Sequence, residues 1–390
     1  MRLLWLRHPL LVLLAVQTAL AAGDVDKKVE CDKGDSITAA AADLAVEKTY
    51  VLHVSGTCNE NVFIDNFEGI SLTIEGDPSA TIQGLLNNPG GQPVVFVSNS
   101  RRVTLVNLTI QTTGGVTPND NPVGVAFNLC RGCQVSNSVV NTSRVGINLI
   151  NTQATIVGIT INGSAMGSSG LTVLGDSNAT VINLSATGAT GGIGLLVDQG
   201  SRVRLNAIPV SSSSIQGYSV GMQVRGGASL EAAAPCNPVG CIDVHDNALS
   251  GVQIISGQAT FNGVNVTNNN QGILVQNSGT LSYAGPASIT GSMGGLGGVG
   301  ILVTHNSHAV IFGTNTSTGT NITGNSGRGV AVASNSSVQF VGPMNATNIT
   351  GNNGAFNIAC DGSSLITGTS TLAATTITCV DQQPSSVVIP

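Results

Sequence analysis

Tryptophan, charge and aromatic bulk are all scarce in this 390-residue chain. Trp5, the only tryptophan, sits in an N-terminal leader, so the mature part has no indole to stack on a sugar ring. Charged residues make up 9% of the chain against ~25% in ordinary domains, which excludes a conventional globule with a Lys- and Glu-rich surface. There is neither a basic stripe nor an aromatic platform, so nucleic acid is not an expected partner. Beyond the leader, no apolar run is long enough for a transmembrane segment, and no long alternating strands suggest an outer-membrane barrel.

The leader itself is informative. Residues 1–22 carry Arg2 and Arg7, an apolar stretch over 9–19, and Ala19-Leu-Ala21 before Gly23. This pattern predicts a cleaved signal peptide and a secreted or periplasmic protein. No cysteine follows the apolar stretch, so a lipoprotein anchor is not expected. Cleavage removes two arginines and takes the net charge from -6 (14 minus 20) to -8 (12 minus 20).

What is present is glycine and repetition. One phrase recurs: a glycine, then apolar, any, apolar, any. It appears as Gly146-Ile-Asn-Leu-Ile, Gly170-Leu-Thr-Val-Leu, Gly194-Leu-Leu-Val-Asp, Gly221-Met-Gln-Val-Arg, Gly251-Val-Gln-Ile-Ile, Gly272-Ile-Leu-Val-Gln, Gly300-Ile-Leu-Val-Thr and Gly329-Val-Ala-Val-Ala. Its alternation is that of a strand with one buried face, and its spacing of roughly 21 to 30 residues signals stacked repeats. One repeat cannot bury its own apolar face, so neighbours must share a core. The expected fold is all-β, a right-handed parallel β-helix of about twelve coils, a rod of ~55 Å at ~4.8 Å per coil.

A single solenoid domain is expected over 23–381, with residues 382–390 as a frayed tail. Asp35-Ser-Ile-Thr-Ala-Ala-Ala-Ala-Asp-Leu supplies an N-cap and helix formers, with Ile37, Ala40, Ala41 and Leu44 on one face. A short helix there would cover the open end of the first coil. Strands are expected at 50–54, 62–64, 70–74, 94–97 and 103–110, repeats to about Ile366, and closure over 370–380. Asn141, Asn162, Asn183, Asn247, Asn269, Asn325 and Asn352 recur at turns, where Asn tolerates left-handed backbone and can bond the next coil.

All eight cysteines follow the leader, as an oxidising compartment allows. Proximity in sequence suggests Cys31 with Cys58, Cys130 with Cys133, Cys236 with Cys241 and Cys360 with Cys379, although sequence does not fix connectivity. Cys130-Arg-Gly-Cys133 has the C-x-x-C spacing of redox and zinc sites. No second such pair or His pair accompanies it, which favours a structural disulfide.

Cys31-Asp-Lys-Gly-Asp-Ser-Ile, Val51-Leu-His-Val-Ser-Gly-Thr-Cys-Asn-Glu-Asn-Val and Ser71-Leu-Thr-Ile-Glu-Gly, together with the repeats, resemble exported bacterial right-handed β-helix proteins of the pectin-lyase-like superfamily. The resemblance covers nearly the whole mature chain. It implies the fold and leaves the activity open among lyases, hydrolases, epimerases, tailspikes and adhesins. The Asn-Thr-Asp, Asp-Asp, Gly-His-Gly and Arg-Ile-Lys motifs of its polygalacturonase-like hydrolases are missing. Asp243-Val-His245-Asp246 echoes an epimerase Asp-Pro-His-Asp motif but lacks the proline and runs into an ordinary turn, so a solvated turn is favoured. His305 and His308 have an i, i+3 spacing but no nearby carboxylate, so no metal site is expected.

Register gives the sharpest candidate. In each Gly-led phrase, positions +1 and +3 should face inward and +2 and +4 outward. Outward residues at one offset then stack along the rod, placing Asp198 beside Arg225, with Gln223, Gln253 and Gln276 on the same sheet as candidate ligand-binding residues of a polar groove for a uronate-like sugar. The resemblance implies that a lyase would use an arginine such as Arg225 as base, Asp198 to assist, and calcium as cofactor. Those rows offer a single carboxylate, too few oxygen ligands for calcium, so no cofactor is expected outside the lyase alternative. The competing explanation is one exposed ion pair between coils. The favoured function is non-catalytic: surface contact, adhesion or envelope structure, with a cell-surface glycan as partner. The alternatives are a polysaccharide lyase or epimerase acting on an acidic polysaccharide, and a carbohydrate-binding module. Nothing in the sequence specifies an oligomeric state.

Overall fold

The computed structural model describes residues 25–45, 48–85, 92–112, 123–208, 212–234, 241–293, 298–313, 320–342, 347–350, 352, 357–368, 377–379 and 387–388. The predicted signal peptide and Cys236 lie outside them, as does the Cys379 side chain. Within them the chain is a parallel β-solenoid. A 13-stranded sheet runs from Val62–Asp65 to Ile377–Cys379, and a 23-stranded sheet forms the rest of the wall. Each coil adds one strand to the smaller sheet, so the length is close to the expected dozen coils.

The Gly-led phrases build that smaller sheet. Val145–Ile150 pairs in parallel with Val123–Asn128 on one side and Ser169–Leu174 on the other, aligning Ile147 with Val125 and Leu171. Positions +1 and +3 face inward throughout: Ile147, Leu149, Met222, Val224, Ile273 and Val275 are fully buried. Each such side chain stabilises by ~1.5–3 kcal/mol before entropy is counted. The glycine that opens each phrase has a packing reason. A Cβ on Gly170 would lie 2.3 Å from the Gly194 carbonyl oxygen, one on Gly221 2.6 Å from that of Gly251, and one on Gly272 2.2 Å from that of Gly300. Each of these glycines thus abuts the next coil's glycine, and a side chain would push the coils apart.

The larger sheet has two facets. Gln153–Met166 and Asn178–Ala189 each pass through both, bending where Gly158 (φ +62°) and Asn183 (φ +54°) take left-handed backbone. Residues 178–182 pair onward with Arg202–Asn206, and 185–187 with Ser213–Gln216. Where the chain returns from the second facet, four of the expected asparagines stack in two pairs, with Asn247, Asn269 and Asn325 buried. Asn269 accepts from the Asn247 backbone N–H (3.0 Å) and amide (2.9 Å), and Asn352 does the same for Asn325 (3.1 and 2.8 Å). Asn141 and Asn162 instead lie on strands and bond each other at 2.9 Å, while Asn183 accepts from Ile208 N–H at the facet bend.

The first coil carries the expected cap. Helix Ile37–Ala42 buries Ile37 and Ala40, with Ala41 and Leu44 packed against the core. Ser36 is its N-cap, accepting from Ala39 N–H. Glu60, from the coil beneath, accepts from Ile37 N–H at 2.7 Å, Thr38 N–H at 3.3 Å and Ser36 Oγ at 2.8 Å. A strand absent from the sequence reading, Val25–Glu30, precedes the helix and pairs with Thr49–Ser55. Disulfides join Cys31 to Cys58 and Cys130 to Cys133. Cys130 and Cys133 are fully buried, which fits a structural bridge rather than a reactive one. Cys241 and Cys360 are also disulfide-bonded, and Cys360 stands opposite Cys379 in the ladder. Within the segment expected to fray, Val387–Val388 pairs with Ile366–Thr367. No helix among the described residues is long and apolar enough to cross a membrane.

Candidate functional site

The stacked rows come out as register predicts. Val197 pairs with Val224, so Asp198 faces Arg225 on the next coil, and Arg225 Nε donates to Asp198 Oδ2 at 2.6 Å. Gln199 N–H donates to the other carboxylate oxygen at 2.7 Å. Gln223 Nε2 donates to Gln253 Oε1 at 2.8 Å, and Gln253 passes the chain to Ser250 Oγ at 3.2 Å. Gln276 shares the sheet but not this cluster: it lies in the Arg225 row, beyond Ile255. The face is also more closed than alternation alone suggests, since Asp198 is 9% and Gln223 7% exposed. An arginine whose Nε is already committed to a carboxylate is a poor general base, and the carboxylate it holds is a poor metal ligand. This arrangement locks two coils together.

The first facet of the larger sheet carries a second polar region that corrects the sequence reading: arginines far apart in sequence, where no basic stripe is legible, share one exposed row. Arg202 and Arg204 alternate on Arg202–Asn206 and project outward, both exposed. Arg204 donates from Nε (3.3 Å) and Nη2 (3.1 Å) to Glu231 on the next coil. Arg202, Arg131, Arg102 and Arg101 form no ion pair among the described residues. Register links most of them: Arg101 bridges to Arg131, and the row continues through Gln153, Asn178, Arg202, Ser229 and Gln258. Six steps at ~4.8 Å make a track of ~29 Å. Within it lies an open concavity of about 580 Å³, lined by Asn178, Thr180, Arg202, Arg204, Glu231 and Thr260 among others. The missed signal was available, because the 27-residue offset that joins Asp198 to Arg225 also joins Arg204 to Glu231.

The second facet brings together residues that the sequence left apart. His245 Nδ1 lies 2.7 Å from Asp246 Oδ2, and His245 Nε2 lies 3.1 Å from Ser214 Oγ on the preceding coil. The segment Asp243–Asp246, expected to be a solvated turn, is therefore tied into the sheet through strand Ile242–His245. His305 and His308 do not converge: His305 Nδ1 meets Thr304 Oγ1 at 3.1 Å, and His308 Nδ1 meets Ser337 Oγ at 2.7 Å. Among the described residues, the one grouping with metal-ligand spacing is Cys31, Cys58 and Glu60, and its two sulfurs form a disulfide.

No protein-family profile matches the sequence, and no curated protein matches it. Among solved structures, the chain is similar to the A-module of mannuronan C-5 epimerase AlgE4 from Azotobacter vinelandii, at 12% identity and a TM-score of 0.34, covering 92% of this chain and 93% of that one. It is also similar to the AlgE6 A-module of the same organism, at 13% identity and a TM-score of 0.34, covering 90% and 91%. At this distance the likeness carries no assignment of residues or activity.

Proposed function

We propose that this is an exported β-helix protein of the surface-contact kind, which holds an acidic glycan along the arginine track of its first facet. The observation that carries the reading is Arg202, exposed, without an ion-pair partner among the described residues, and lining the 580 Å³ concavity. Guanidinium groups present planar forks of donors that match carboxylates. The chain's overall acidity does not forbid this. Beyond ~8–10 Å its distant carboxylates are screened at physiological salt, while a ligand on the track meets the arginines directly. The neighbouring Asn178, Thr180, Ser229 and Gln258 offer hydrogen bonds to hydroxyls. The signal sequence predicted over residues 1–22 and the disulfides support export. Lyase or epimerase chemistry at Arg225 and Asp198 has no support from their geometry, because each occupies the other.

The test is binding of purified protein to polygalacturonate and polymannuronate at two salt concentrations, with absorbance followed for unsaturated uronate. Saturable binding that weakens with salt and falls at least tenfold in Arg131→Ala/Arg202→Ala supports the proposal. Binding indifferent to those substitutions, or unsaturated product that disappears in Arg225→Ala, overturns it.

A further inference from the structure

Beyond glycan contact, we infer that Ser214, His245 and Asp246 form an acyl-ester hydrolase centre on the second facet. The two distances, 3.1 Å from Ser214 Oγ to His245 Nε2 and 2.7 Å from His245 Nδ1 to Asp246 Oδ2, join a nucleophile, a base and an orienting carboxylate in sequence. Such a constellation is defined by geometry and roles, not by chain order. A carboxylate can only accept, so in the neutral imidazole Nδ1 carries the proton and Nε2 is left to accept from the Ser214 hydroxyl. The sheet fixes the arrangement. Ser214 stands opposite Asp243 and Gln216 opposite His245 in the parallel ladder, and Asp246 turns back toward the imidazole through left-handed backbone (φ +53°). His245 is recessed, its side chain 25% exposed. Asp243 is held by Asn265 Nδ2 at 2.9 Å and is not part of the relay.

In the reaction, Ser214 Oγ attacks the ester carbonyl carbon while its proton passes to His245 Nε2. The tetrahedral intermediate collapses, the carbon–oxygen bond to the alcohol breaks, and the alcohol leaves with that proton. Water then adds to the acyl-serine, giving its proton to His245. Collapse frees the carboxylic acid and returns a proton to Ser214 Oγ. The strand amides here are committed to the ladder, so the oxyanion donor must be a side chain. Gln216 is two residues along on the same face and across from His245. Its Nε2 donates to Thr187 Oγ1 at 3.5 Å, and it must turn from that long bond to supply the oxyanion donor.

The facet also selects the substrate. Its outward rows around the centre are Ser185, Ser214, Asp243, Asn265 and Ser288, and Thr187, Gln216, His245, Thr267 and Thr290. They form an open polar strip with no apolar slot for a long acyl chain among the described residues. The ligand class is a short acyl ester, such as acetyl, on the hydroxyl of a polymer that can lie across the strip.

The test uses the full chain with O-acetylated polyuronate, measuring released acetate, and a fluorophosphonate probe whose adduct is mapped by mass spectrometry. Acetate release that falls at least tenfold in both Ser214→Ala and His245→Gln, with the probe on Ser214 of the native chain, supports the inference. Binding to the unacetylated polymer and the melting temperature should be unchanged in these variants, which separates this site from the arginine track. Gln216→Ala should lower kcat more than it raises KM. Release equal in native protein and Ser214→Ala, or no release with no adduct on Ser214, overturns it whatever the outcome of the binding experiment.

Discussion

At the residue scale, two tyrosines show how the same buried group can help or cost. Tyr218 and Tyr283 are both fully buried, and burial pushes both phenols well above the ordinary value of 10.0. Tyr283 donates its hydroxyl to Val264 O at 2.7 Å, whereas the Tyr218 hydroxyl has no partner among the described residues. Removing a satisfied hydroxyl loses a hydrogen bond, and removing an unsatisfied one relieves a desolvation cost. Tyr283→Phe should therefore destabilise by about 1 kcal/mol, and Tyr218→Phe should be neutral or stabilising, as read from urea midpoints. The pH dependence follows the same phenols. Their folded pKa is raised, so the stability they contribute is full below about pH 10 and is lost as pH rises above it, where only the unfolded chain releases the protons. Replacing both with Phe should flatten that alkaline loss. Equal destabilisation by the two single substitutions would mean that Tyr218 is bonded after all.

At the element scale, the glycine that opens each phrase is a spacing device. A Cβ on Gly272 would stand 2.2 Å from the Gly300 carbonyl oxygen, so Gly272→Ala must force strand Gln271–Gln276 off Ile301–Val303. The expected cost is ~1–3 kcal/mol, seen as a lower urea midpoint. An unchanged midpoint would show that the coils can part without penalty. This device explains why the fold was legible: apolar alternation after each glycine marks the strand, and the glycine marks where coils touch. Val62–Asp65, Val103–Gln111 and Ile37–Ala42 fell where pattern and capping placed them. The stacked Asp198–Arg225 pair was legible for the same reason, because both belong to phrases of one register. Ser214 and His245 were not, being 31 residues apart across strands that carry no opening glycine to align them. Strand Val25–Glu30 was invisible because Val-Asp-Lys-Lys-Val-Glu has little apolar content and owes its place to pairing with Thr49–Ser55.

At the scale of the whole molecule, a solenoid has no centre that holds every part at once. Each coil contacts only its neighbours, so stability is a sum of intrinsic and nearest-neighbour contributions and can fail locally from an end. At the N-terminal end, one side chain that reaches between layers satisfies the start of the capping helix. Glu60 accepts from two amides at the start of the capping helix and from the N-cap hydroxyl, so its loss leaves helix donors unpaired over the first coil. Glu60→Ala should open the chain from that end: amide hydrogen exchange should quicken in Val25–Glu30, Ile37–Ala42 and Thr49–Ser55, and stay unchanged in Val220–Arg225 and beyond. The Cys31–Cys58 disulfide should confine the opening to the cap, since it pins the first coil independently of the helix. Under reducing conditions the same variant should lose protection further along the rod. If exchange instead quickens uniformly from Val25 to Cys360, the coils unfold as one cooperative unit and the nearest-neighbour account of this rod is wrong.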